Sequence, residues 1–231
     1  MKGKSIQKAI ILVSTLAVPG FLFFYLLPQF AKNRYKSLPI FGEKVVASTF
    51  HTVKGKKIPD TIYHQIPDFK LINQSGDSVS WATLKDKIIV LNLVNTEAPN
   101  AGVTKYLQTL AEGYEKKPLV KFLSLSVNPA DVTNVKAYAA QLGAKPDKWN
   151  VLAGDTSITY PLIRKGLLLD IVSDESQEKP RYIFSNKILL IDVQHRIRGV
   201  YETDSPESTA RLEDEIKVLI AEYLRNVKDG R

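Results

Sequence analysis

Two short, mostly apolar runs constrain this chain most. Residues 88–94 read IIVLNLV and residues 120–127 read VKFLSLSV. Neither alternates apolar with polar along its whole length, as a strand with one wet face would. Runs this short and this rich in β-branched residues suit strands buried on both faces, the situation of a parallel sheet covered by helices. The 25 residues between them hold a stretch, 104–114, with Tyr106, Leu107, Leu110 and Tyr114 at helical spacing. A strand, a helix and a second buried strand make a right-handed βαβ unit.

The remaining pattern extends that unit. Residues 69–72 read as a strand, 73–77 as its turn, and Val79 opens a second short strand. Residues 131–142 carry Val132, Val135, Tyr138 and Leu142 on one helical face. A short strand at 150–152 and a helix at 157–164 follow. Residues 187–193 and 196–202 form a hairpin turning at Gln194-His195, and 206–227 an amphipathic helix through Leu212, Ile216, Leu219, Ile220 and Leu224. The order β-β-β-α-β-α-β-α-β-β-α predicts an α/β layered sheet of thioredoxin-like arrangement, with an N-terminal β-hairpin.

Ahead of this domain the chain changes character. Residues 9–27 (AIILVSTLAVPGFLFFYLL) carry no charge, and about 20 such residues cross a hydrocarbon core. The stretch is long for a cleaved signal and lacks a convincing small-residue cleavage site. The expected organisation is a short basic cytoplasmic tail at 1–8, one transmembrane helix at 9–27, a tether at 28–65 punctuated by Pro28, Pro39, Gly42, Gly55 and Pro59, and a domain at 66–231. A short tail before a large folded domain places the tail inside and the domain on the periplasmic or extracytoplasmic side of the cytoplasmic membrane.

The net charge is +8. Lys2, Lys4 and Lys8 precede the apolar stretch, and Lys32, Arg34, Lys36, Lys44, Lys54, Lys56 and Lys57 follow it. Basic residues flanking a membrane segment are expected to meet lipid headgroups. No recognition helix or aromatic-interleaved basic strand accompanies them, so no nucleic-acid partner is expected. The chain has no cysteine, and its single methionine is Met1. That excludes thiolate nucleophiles, disulfide exchange and lipid attachment through cysteine. It also excludes the sulfur ligands that copper(I) prefers. No G-x-S-x-G, P-loop or H-E-x-x-H is present.

Several blocks, in order, resemble the SCO/SenC family of membrane-tethered thioredoxin-like proteins. Ile66-Pro67-Asp68-Phe69 followed by Asn73-Gln74-Ser75-Gly76 is similar to that family's opening hairpin. Leu84-Lys85-Asp86-Lys87-Ile88-Ile89-Val90, Ser124-Leu125-Ser126-Val127-Asn128-Pro129, Trp149 with Leu152-Ala153-Gly154, and Leu190-Ile191-Asp192 with Arg196-Ile197-Arg198-Gly199 resemble its later blocks. Leu38-Pro39-Ile40-Phe41-Gly42 looks like a tether segment of many membrane-bound members. The resemblance implies a role around copper delivery to cytochrome c oxidase, with two cysteines and a histidine holding the metal. Here the block after the first buried strand reads Thr96-Glu97-Ala98-Pro99-Asn100-Ala101-Gly102-Val103. Ala98 and Gly102 stand where the resemblance places the cysteines, and Phe184 where it places the histidine.

The expectation is therefore a family member without catalytic residues, cofactor or metal site. It would act as a binding or accessory factor with a protein partner in respiratory-complex or envelope assembly. The alternative is a metal-handling protein using His64, His195 and a carboxylate. His51, His64 and His195 otherwise read as surface or turn residues, Glu97 as a cap on the helix that follows it, and 167–181, with Asp170, Asp174, Glu175 and Glu178, as a loop.

Overall fold

The computed structural model describes residues 13–15, 17–26, 37–53, 55–128, 132–174 and 181–229. The strands are β1 (Lys44–Val53), β2 (Lys56–Tyr63), β3 (Leu71–Asn73), β4 (Ser78–Val79), β5 (Ile88–Val94), β6 (Val120–Ser126), β7 (Trp149–Ala153), β8 (Ile171–Asp174), β9 (Arg181–Phe184), β10 (Lys187–Ile191) and β11 (Ile197–Glu202). The helices of the folded domain are α1 (Ala101–Gly113), α2 (Val132–Leu142), α3 (Thr156–Pro161) and α4 (Pro206–Lys228).

Among the described residues the main sheet has seven strands in the order β11-β10-β5-β6-β7-β3-β4. The two apolar runs lie at its centre. β5 pairs parallel with β6 from Ile88↔Val120 to Val94↔Ser126, and β6 pairs parallel with β7. The flanking strands are antiparallel: β10 on β5, β11 on β10, β3 on β7 and β4 on β3. Every residue of β5 is buried because helices or loops cover both faces. Ile88, Val90 and Val94 join a core with Leu107, Leu110, Val135, Tyr138, Leu212 and Ile216 from α1, α2 and α4. Ile89, Leu91 and Leu93 face the other way, toward Trp81, Leu84, Ile163, Leu167 and Ile171. Each such aliphatic side chain contributes about 1.5–3 kcal/mol on burial.

Helix ends follow local chemistry. The Asp155 carboxylate caps α3 by accepting from Ser157 N at 2.7 Å. The helix passes at Leu162–Gly166 into a π-helical turn. Ser205 caps α4, with Pro206 in its first turn.

Two regions differ from the sequence reading. The compact unit begins at Leu38 and so includes 38–65 of the stretch read as tether. Within it β1 and β2 form an antiparallel ribbon with a register irregularity between Val46 and Phe50. The stretch read as a loop at 167–181 contains β8, which pairs with β9 from Ile171↔Phe184 to Asp174↔Arg181. Glu175 and Glu178 lie outside the described residues.

Residues 1–37 form a separate unit. Its described part is helical at 13–15 and 17–21 and continues into a π-helical turn, Leu22–Leu26. The Phe21 and Tyr25 rings stack there at 5.0 Å. Among the described residues no helix is long and apolar enough to cross a membrane. Residues 9–12, 16 and 27 of the expected span lie outside them.

Candidate functional site

In open α/β sheets ligands bind at the carboxyl ends of the strands, and here a cavity of about 320 Å³ opens at the end of β5. Its walls come from β5, the loop to α1, the first turn of α1, Tyr138 of α2, and β9. Ala98 and Phe184, two of the positions singled out from sequence, both line it. Gly102 does not; it lies in the first turn of α1, beside Val103, which does.

Amides and hydroxyls organise the walls. Asn100 caps α1: its Oδ1 accepts from Gly102 N at 3.0 Å and Val103 N at 3.2 Å. Glu97, expected in that role, instead accepts from Asn128 Nδ2 at 3.3 Å. The correction has a simple cause. The helix starts at Ala101, so the residue directly before it is Asn100, and Glu97 lies too far back to reach the free N–H groups. Asn128 is itself buried and accepts from the Tyr182 hydroxyl at 3.5 Å. Glu97, Asn128 and Tyr182 thus tie the loop after β5 to the loop after β6 and to β9.

A second polar chain runs beneath the cavity. Trp149 Nε1 donates to Ser124 Oγ at 3.0 Å, and Ser124 Oγ donates to Asn92 Oδ1 at 2.7 Å. All three residues are buried, so the bonds compensate groups that would otherwise be left without water. At the side, Thr104 Oγ1 and the Tyr138 hydroxyl meet at 3.2 Å. Burial raises the Tyr138 pKa, opposed by that bond, so its hydroxyl stays neutral.

The lining residues therefore offer amides, hydroxyls, the Arg181 guanidinium and apolar surface, with no thiol, imidazole or carboxylate among them. Copper(I) prefers thiolate or thioether ligands. The residues present do not fit that metal, and thiol–disulfide exchange is closed to a chain without cysteine.

The histidines lie elsewhere. His64 Nε2 donates to the Gly166 carbonyl at 2.8 Å. His195 has φ 61°, the left-handed backbone its turn requires, and its ring stacks on Trp81 at 4.2 Å. Burial lowers the His195 pKa, with Asp192 and Asp68 acting in the opposite sense. His51 pairs with Asp60 at 2.6 Å on the ribbon. Among the described residues no three of His, Cys, Asp and Glu come together as a metal site, so the structure does not assemble the His64, His195 and carboxylate set.

The sequence reading also passed over a buried charge cluster. Arg198, 2% exposed, donates to Asp192 Oδ2 at 3.0 Å, to both Glu222 oxygens at 3.1 Å, and to the Leu38 and Pro39 carbonyls at 2.8 and 3.1 Å. Its signal in the sequence is an arginine inside a strand otherwise suited to burial, IRGVYE. A buried guanidinium needs such partners.

A sequence model of the SCO1/SenC family matches residues 60–221. No curated protein matches the chain in sequence. Among solved structures, an SCO1/SenC family lipoprotein from Bacillus anthracis is 21% identical, with TM-score 0.60 over 68% of this chain and 95% of that one. Arabidopsis thaliana ScoI, solved with copper bound, is 19% identical, with TM-score 0.54 over 69% and 98%. BsSco, a member of the Sco family of cytochrome c oxidase assembly proteins in which a disulfide switch was identified, is 19% identical, with TM-score 0.56 over 67% and 92%. At these identities the structures share the fold, and the family match carries the assignment. With that match spanning β3 to α4, and with a parallel β5-β6-β7 core of thioredoxin-like form, the chain belongs to the SCO1/SenC family.

Proposed function

We propose that this SCO1/SenC protein is a non-catalytic binding factor, held at the membrane, that acts by protein contact in assembly of a respiratory complex or another envelope complex. The observation that carries the reading is the β5 cavity: Ala98 and Phe184 line it, and no residue around it supplies sulfur or imidazole. A fold kept without its metal-binding chemistry retains a surface for partners, since function resides in sites rather than folds. Cytochrome c oxidase assembly is the first candidate, because BsSco belongs to a family of such assembly proteins.

Membrane attachment rests on the uncharged stretch at 9–27 and the lysines and arginine around it. The similar Bacillus anthracis protein is a lipoprotein. With no cysteine to acylate, attachment of this chain falls to the apolar segment, with the folded domain on the extracytoplasmic side. The test is a crosslinked pull-down of the tagged full chain from native membranes, read by mass spectrometry. Oxidase subunits, or a family member that keeps its cysteines, are the expected partners. Recovery of unrelated envelope proteins alone would remove the oxidase link, and recovery of nothing above background would remove the binding role.

A further inference from the structure

A two-stranded ribbon is marginally stable in water unless something covers it. The β1–β2 ribbon has no such cover within the described residues. Val45, Val46, Phe50, Ile58 and Ile62 are between 42% and 70% exposed. The register shows that these side chains do not share one face. Val45 lies opposite Ile62, and His51 opposite Ile58; on the other face Val46 lies opposite Thr61, and Phe50 opposite Pro59. A ribbon lying flat on a protein surface would be apolar beneath and polar above. This one carries exposed apolar side chains on both faces, interleaved with polar ones, which suits immersion of a whole end among headgroups.

The charges point to the medium. Lys44, Lys56 and Lys57 are exposed on the ribbon, while its one acid, Asp60, is paired with His51. The Lys57 ammonium lies 4.4 Å from the Phe50 ring centre and that of Lys44 6.0 Å from the Tyr63 ring centre. Each ammonium thus sits over an aromatic face while its residue stays exposed, so cation and ring together present the mixed charged and aromatic surface that suits a bilayer interface.

The ribbon is also firmly rooted. Glu43 O accepts from His64 N at 3.0 Å, and Ile197 O from Phe41 N at 2.9 Å. The segment just before it is held by Arg198 through Leu38 and Pro39. From residue 27 to Leu38, where the folded unit begins, the chain reaches at most about 40 Å, so a domain tethered by the apolar stretch would stay near the bilayer.

We propose that the β1–β2 ribbon is a membrane-surface element that inserts its apolar side chains among anionic lipid headgroups, with Lys44, Lys56 and Lys57 contacting the phosphates. The inference rests on the reading that the chain is held at a membrane, and the test separates the two. Because the chain has no cysteine, Val46→Cys in the full chain gives a single site for a polarity-sensitive fluorophore. Phe50→Cys provides a second ribbon site, and Gln141→Cys, exposed on α2, a reference.

The labelled chains are reconstituted into vesicles of phosphatidylcholine alone or mixed with phosphatidylglycerol. In the anionic vesicles the ribbon labels are expected to shift to the blue and to be quenched by headgroup-level nitroxide lipids, while the Gln141 label stays wet. High salt should reverse the shift. Lys56→Glu with Lys57→Glu should weaken the ribbon's partition by roughly fivefold or more for each charge. Ribbon labels as wet as the reference in anionic vesicles overturn the proposal. So do labels that become dry without lipid as protein concentration rises, which would make a second copy the occupant. Alkaline extraction reports the anchor independently: a chain that washes out with dry ribbon labels fails the anchor reading alone, and one that resists extraction with wet labels fails the ribbon proposal alone.

Discussion

Arg198 and Glu222 meet end to end, Nη1 with Oε1 and Nη2 with Oε2, both at 3.1 Å. The pair joins β11 to α4, and Asp192 completes the charge balance from the β10–β11 turn. The same guanidinium holds the Leu38 and Pro39 carbonyls. One side chain therefore fastens the entry of the domain, its last hairpin and its last helix.

Removing that guanidinium strips Glu222 of a two-pronged cationic partner and Asp192 of one of its two, Arg196 remaining at 2.6 Å. Arg198→Met is expected to cost about 3–5 kcal/mol in chemical denaturation. Amide exchange at Phe41, whose N–H bonds Ile197 O, should quicken beyond the change in global stability. An unchanged Phe41 would contradict the clamp.

Lys148 gives a stability change on the alkaline side. It donates to Lys117 O at 2.8 Å and Val120 O at 2.6 Å. Burial is the main cause lowering its pKa to about 8, from an ordinary 10.5. Between those values the unfolded chain holds a proton that the folded chain has lost, so stability should rise with pH from about 8 toward 10. Above about 10 the trend reverses, because burial raises the pKa of Tyr106, Tyr114, Tyr138 and Tyr201, and the unfolded chain ionises them first. Lys148→Arg keeps a charge throughout and should shrink the rise seen in denaturation midpoints between pH 8 and 10, leaving the part due to Lys121, whose pKa burial also lowers.

Asn100 tests the wall of the cavity. Asn100→Ala removes both bonds to the start of α1 and should cost about 1 kcal/mol, with Asn100→Gly costing a few tenths. Glu97→Gln, which is outside the cap, should leave thermal stability within about 0.5 kcal/mol. A larger loss at Glu97 than at Asn100 would restore the capping role expected from sequence.

Gly42 has φ +97°, and a Cβ there would lie 2.5 Å from His64 Cβ. Gly42→Ala is expected to destabilise by more than about 1 kcal/mol and to expose the root of the ribbon to protease. Gly113→Ala, where a Cβ meets nothing within 4 Å, serves as the comparison.

The centre of the sheet was legible because the strands of the parallel core are mostly apolar and buried on both faces, as at Ile88–Val94, where Asn92 is the single polar residue. The π-helical turn after α3 was not, since Leu162 to Gly166 keeps helical spacing whichever carbonyl accepts. β8 and β9 were hidden by the acidic run between them, which reads as solvated loop even though Ile171 is buried and Phe184 packs on the core. The β1–β2 ribbon was legible only as a short strand or two around 44–53, because neither face is uniformly apolar and the irregularity after Val46 breaks the alternation. At the site, Ala98 and Phe184 were singled out from sequence order, and the structure brings both to the cavity lining. Their neighbours Asn128 and Tyr182 were not, because polar side chains that meet across the ends of strands leave no periodic trace.

The most direct test of a binding role without metal chemistry is a copper(I) competition titration of the purified chain against a chromophoric chelator. The wild-type chain should leave the chelator's copper untouched. The variant Ala98→Cys, Gly102→Cys, Phe184→His, given the missing thiols and imidazole, should withdraw copper from it. One equivalent of copper(I) held by the wild-type chain against the chelator would contradict the reading of the β5 cavity as a site without metal chemistry.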